Sequence, residues 1–201
     1  MKNLHSGQTA IIYGASALSL LTVLVYFISN NTAQIILFQT LGFAVPLAVV
    51  FFAFSFFLAD FIQKKLGTKF AILNTIASTI LVALLYIQSA LVAGTYDFSF
   101  FYVLMVSTLT AIIAGTIDAL VFKRIFKKNI TKTAKATLVS NAISIPIDTI
   151  LFCYFVFYLI FNMPIELVLS LGVGQIFMKY VISALMTPII AKVNAGSVWK
   201  I

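Results

Sequence analysis

Charge is what this 201-residue chain has least of. Asp, Glu, Lys and Arg together make up 9% of it, against roughly 25% in a typical soluble domain. So few charges cannot clothe a water-facing surface. That excludes an ordinary soluble enzyme, a disordered protein and a soluble nucleic-acid binder. Histidine is nearly missing: His5 stands alone, in the polar amino-terminal segment. His-based metal sites and Ser–His nucleophile pairs are therefore excluded, and neither a metal nor a cofactor is expected. Cysteine is confined to Cys153, inside an apolar run, where it reads as a small core residue with no disulfide partner in the chain. There is no P-loop of the form G-x-x-x-x-G-K-[ST]. These gaps point away from an enzyme.

What is present is hydrocarbon: 62% of residues are hydrophobic and the mean hydropathy is +1.13. A membrane helix needs about 20 mostly apolar residues, and runs of that length place six spans at 9–29, 42–62, 70–92, 99–121, 136–161 and 167–190. A shorter apolar stretch, 33–41, re-enters the bilayer or lies in its interface. The runs are continuous rather than alternating, which favours helices over barrel strands. The first run is too long for a signal-peptide core and no A-x-A site closes it, so it reads as an uncleaved helix. The expected fold is an all-α integral membrane protein, one transmembrane domain over 1–201, built as a six-helix bundle in the lipid bilayer.

The net charge of +8 suits a membrane protein that wears its lysines on cytoplasmic loops. Lys2 precedes the first span. Lys64, Lys65 and Lys69 follow the second, and Lys123, Arg124, Lys127, Lys128, Lys132 and Lys135 follow the fourth. Lys192 and Lys200 come after the sixth. All fall on one side of the six-span arrangement, while the opposite loops carry Asp97 and Glu166 and no basic residue. Both termini are thus expected in the cytoplasm, and the membrane is the cytoplasmic (inner) one. Tyr26, Tyr86, Tyr96, Tyr158 and Trp199 fit interfacial aromatic belts.

One basic residue is left over. Lys179 lies in the middle of the sixth span, and Asp148 in the middle of the fifth. Each is about twelve residues, or about 18 Å of helix rise, from the start of its span. An isolated charge at that depth costs from about 2.5 to more than 10 kcal/mol, so such residues face a bundle interior and find partners. Asp148 and Lys179 are expected to converge on a buried ligand site; the plainer alternative is a structural salt bridge. Asn141, Ser144 and Asp148 share one helix face, extended by Phe152, and Pro146 should kink the same helix. Gln175, Lys179 and Ser183, with Gly172, form a facing polar stripe. Asp60 and Asp118 lie about one turn from the inner ends of their spans. They read either as structural ion pairs, Asp60 with Lys64 at i+4, or as the lining of a cytoplasmic gate.

Four segments, taken in order, resemble the vitamin uptake transporter family, also known as queuosine precursor transporters. They are Asn31 to Gly67 with its FFLADFIQKKLG ending, IDALVFKRI around Asp118, SNAISIPIDTILF around Ser144, Asp148 and Thr149, and KYVISALMTP with Lys179 and Pro188. The chain departs from the family pattern at Lys64, where members often carry Glu, at Gly115, where Gln is frequent, and at Ile145, where an amide is frequent. The resemblance implies import of a small-molecule substrate, 7-cyano-7-deazaguanine or a related 7-deazapurine, across the cytoplasmic membrane. On that reading Asp148 accepts the N–H donors of the deazaguanine edge and Lys179 serves its carbonyl oxygen. Asn141, Ser144 and Gln175 would bond the other edges, and Phe152 would stack on the ring. The alternative within transport is a substrate-binding membrane subunit of an energy-coupling-factor type vitamin transporter. That subunit would be served by a separate energising module, and the Ala10–Gly14 pair on the first span hints at a docking face.

Overall fold

The computed structural model describes residues 2–32, 35–40, 43–94, 98–126 and 130–192. In chain order these form α1 (Lys2–Asn31), strands β1 (Ile36–Thr40) and β2 (Phe43–Pro46), α2 (Ala48–Leu66), α3 (Thr68–Ala93), α4 (Phe98–Ile125), α5 (Ile130–Phe152), a π-helical continuation (Cys153–Ile160) and α6 (Ile165–Lys192). Among the described residues, five stretches are long and apolar enough to cross a membrane: Ile12–Asn31, Thr68–Ala93, Phe101–Ile125, Lys132–Ile160 and Ile165–Lys192. They match the first, third, fourth, fifth and sixth expected spans.

The second span differs from expectation. Instead of a helix from 42 to 62 behind a re-entrant or interfacial 33–41, Ile36–Thr40 and Phe43–Pro46 pair as antiparallel strands, and the helix begins at Ala48. The ladder pairs Ile36 with Pro46 and Thr40 with Phe43, is irregular between Ile36 and Phe38, and is extended by Leu47 N–H donating to Ile35 O at 2.7 Å. The bundle is therefore not purely α-helical. β2 packs against α6 and α2, which keeps this non-helical backbone against protein rather than lipid. α2 has 19 residues, and Asp60, Lys64 and Lys65 occupy its final turns.

α2 is the helix the others gather round: it touches α1, α3, α4 and α6. Its burial follows from sequence, because Ala53, Ser55 and Phe56 pack inward beside Asp60 and Gln63. α4 approaches α3 and α5 through small residues, with Ala111, Ala114 and Ala119 all buried. Gly115 belongs to that face: a Cβ there would sit 2.9 Å from Thr75 Cγ2 on α3. A short junction separates α2 from α3, made by Gly67 at φ +94°, a conformation open to glycine. Pro146 is carried inside a continuous α5, and the helix changes character only two turns later, at Cys153.

Polarity runs inside out. Leu109, Phe177 and Leu185 point outward, whereas Asp60, Asp118, Asp148, Lys179, Gln175 and Asn141 are buried. That inversion is the arrangement of a protein dissolved in lipid. One expectation falls here: Tyr26 is not in an interfacial belt but in the core, beside Val82 and Ala111. Its ring meets Phe52 edge-on at 5.8 Å and its hydroxyl meets Ser55, so both its apolar body and its polar tip are served by neighbouring helices. Asp97, Tyr96, Lys127, Lys128, Trp199 and Lys200 lie outside the described residues, and the side chains of Lys2 and His5 are not described.

Candidate functional site

The facing polar stripes meet at mid-bundle. Asp148 sits on α5 and Lys179 on α6, two helices that pack along each other. The Lys179 ammonium donates to Asp148 Oδ2 at 2.7 Å and to Thr149 Oγ1 at 2.9 Å. Phe52 of α2 covers the same ammonium, its ring centroid 4.9 Å from Nζ. Both charged side chains are only 3% exposed. A buried ion pair is held up by such extra partners, since Coulomb attraction alone barely offsets desolvation. The cation–π contact adds about 0.5–2 kcal/mol.

The pair is incompletely satisfied. Among the described residues, buried Asp148 Oδ1 has no hydrogen-bond partner, and neither has Asn141 Oδ1. Buried acceptors normally find donors, so these two, on one helix face, are open to donors from a bound molecule. Asn141 reaches α6 through its amide, Nδ2 donating to Ser183 Oγ at 2.8 Å. Gln175 Nε2 lies 3.7 Å from Cys153 Sγ, at the first residue of the π-helical segment. Gly172 lies beside the same thiol, where an added Cβ would stand 3.8 Å from Sγ, an ordinary contact.

Ser144 departs from its expected place. Its hydroxyl turns to α4 and donates to Asp118 Oδ1 at 3.0 Å. Asp118 in turn lies against Asp60 of α2, with Ser140 beside it, while Thr137 faces Asp60. The expected Asp60–Lys64 ion pair is not formed. Lys64 instead donates to Ile190 O at 2.8 Å and Ala191 O at 3.1 Å, the free carbonyls in the last turn of α6. Nor does Asp118 meet Lys123 or Arg124, which are exposed at the end of α4. Gln63 Nε2 donates to Ala119 O at 2.7 Å and Thr68 Oγ1 at 2.9 Å. These bonds draw the ends of α2, α4 and α6 together, so the basic residues there gather at one end of the bundle.

Phe152 is half-buried and packs edge-on against Phe157 at 5.6 Å. The aromatic side chain at the ammonium is Phe52, which the sequence does not mark out among 20 phenylalanines. Thr149 had a local signal, being next to Asp148 in the quoted motif. Tyr26 had none. Its position comes from the crossing of α1 with α2 and α3.

The family profile described as "Putative vitamin uptake transporter" matches residues 46–193, which takes in α2 to α6 and, among the described residues, every buried Asp and Lys. No curated protein and no solved structure matches the chain. The profile covers most of the sequence, and the bundle carries its buried charges inside that match: the chain belongs to the vitamin uptake transporter family.

Proposed function

We propose that this multi-pass membrane transporter imports 7-cyano-7-deazaguanine, or a closely related 7-deazapurine, across the cytoplasmic membrane. The observation that carries the reading is the Asp148–Lys179 pair, buried at mid-bundle with Asp148 Oδ1 and Asn141 Oδ1 lacking donors. A deazaguanine offers adjacent N–H donors, a carbonyl oxygen and a flat face. Asp148 accepts the donors, Lys179 serves the carbonyl, and Phe52 gives the ring a stacking surface beside the cation. Substrate entry opens the Asp148–Lys179 contact and replaces each charge's partner with one of its own. The substrate is thus favoured only while it bonds both sides. The π-helical segment at Cys153–Ile160, next to Gln175, is the element of α5 best suited to change shape as the site opens to one side or the other.

The topology that goes with this has six crossings and both termini in the cytoplasm. α2, about 28 Å long by its 19 residues, supplies the second crossing together with the hairpin before it. The basic end of the bundle is the cytoplasmic one. The test is whether the chain restores queuosine in tRNA of a precursor-auxotrophic cell fed 7-cyano-7-deazaguanine at low concentration. Restoration at good expression supports the reading. No restoration at equal expression moves the substrate to another purine-like or vitamin-like compound.

A further inference from the structure

Asp60 and Asp118 are the buried carboxyl groups, among the described residues, that the proposed substrate site does not use. Asp60 is 0% exposed and Asp118 is 1% exposed, on α2 and α4, and their carboxyl groups lie against each other. Among the described residues, neither Asp60 oxygen has a hydrogen-bond partner of normal geometry, and Asp118 Oδ2 has none. A third group points to a missing occupant. The Thr137 hydroxyl on α5 faces Asp60, is equally buried, and closes no hydrogen bond of normal geometry. The two buried cations among the described residues are committed elsewhere, Lys64 to the α6 carbonyls and Lys179 to Asp148. Of the other elements, α1 brings Tyr26, α5 brings Asp148 and the uncharged Ser140 and Ser144, and the buried polar residues of α3 carry no charge.

Two neighbouring carboxylates in a buried interior cannot both stay ionised without a cation between them. A proton bridging the pair would give a donor to buried oxygens that have none among the described residues. We propose that the Asp60–Asp118 pair binds a proton that travels with the substrate. The link to the substrate site is one turn of α5. Ser144 donates to Asp118, and Asp148, four residues on, holds Lys179. Opening the Asp148–Lys179 contact shifts that turn and with it the hydroxyl that Asp118 leans on. No covalent step is involved: the proton is taken from water on one side and returned to water on the other. The co-transport half of this proposal rests on the transport reading above; the proton site itself does not.

Two measurements test it on the full chain in liposomes. Infrared difference spectroscopy at neutral pH, without substrate, is expected to show the carbonyl stretch of a protonated buried carboxyl, lost in Asp60→Asn/Asp118→Asn. A wild-type spectrum without that band, or a band the double variant keeps, overturns the proton site. The second measurement follows labelled 7-cyano-7-deazaguanine. An inward gradient of one pH unit is expected to concentrate it up to about tenfold for one proton per substrate, since one pH unit is about 1.4 kcal/mol. Normal counterflow with no response to the gradient, or a response to sodium alone, overturns proton coupling. Absent counterflow in the wild type sinks the proposed substrate instead, and the infrared band still decides the proton site.

Discussion

Lys179→Met isolates the electrostatics of the buried Asp148–Lys179 pair. The substitution keeps much of the side-chain volume and removes the ammonium that bonds Asp148 Oδ2, the donor to Thr149 Oγ1 and the cation under Phe52. Breaking a buried pair by removing one member costs about 3–5 kcal/mol, because the remaining charge has neither water nor partner. For a chain of this size that lowers the melting temperature by roughly 6–20 °C. Cys153 supplies the assay: it is the sole cysteine and is buried, so a thiol-reactive dye in detergent reports unfolding as the thiol is exposed. Asp148→Asn/Lys179→Met should recover most of the loss, since both charges are then gone. Neither protein should accumulate substrate. Lys179→Met melting within a degree of wild type, or a double variant no better than the single one, would refute the claim that these charges depend on each other.

Other consequences concern the scaffold. Gly115→Ala sets a methyl 2.9 Å from Thr75 Cγ2, between two packed helices, and should cost about 1–3 kcal/mol in the same thermal assay. Adding Thr75→Ser removes the clashing methyl and should restore stability. Lys64→Met leaves the Ile190 and Ala191 carbonyls unpaired and should cost about 1–3 kcal/mol, with faster proteolysis at the end of α6. Asn141→Ala and Ser183→Ala, combined in a double-mutant cycle, should show a coupling of about 0.6–1.7 kcal/mol across α5 and α6.

The site was legible where cost made it legible. A charge at mid-membrane is expensive enough to need a reason, and that singled out Asp148 and Lys179 from position alone. The i, i+4 spacing of Gln175, Lys179 and Ser183 carried straight into one buried face of α6. Features set by the meeting of distant elements were not legible. Lys64 is well placed to pair with Asp60 along α2, but the free carbonyls of α6 outbid the neighbouring turn. Phe52 is one apolar residue in a run of them, and only the crossing of α2 over α6 brings it to the ammonium. The strand pair Ile36–Thr40 and Phe43–Pro46 hides inside an apolar run because a strand and a buried helix look alike in hydropathy. Gly42 and Pro46 were the punctuation that could have betrayed it. Gly115 stood out only as a departure from the family's usual residue, and its role as the point where α4 meets Thr75 belongs to tertiary packing.

The central claim is that Asp148 receives the substrate. Uptake of labelled 7-cyano-7-deazaguanine, measured in cells carrying wild type, Asp148→Ala or the isosteric Asp148→Asn at matched protein levels, tests it most directly. The expected result is robust uptake by the wild type and its loss in both variants. Undiminished uptake by either variant would contradict the claim.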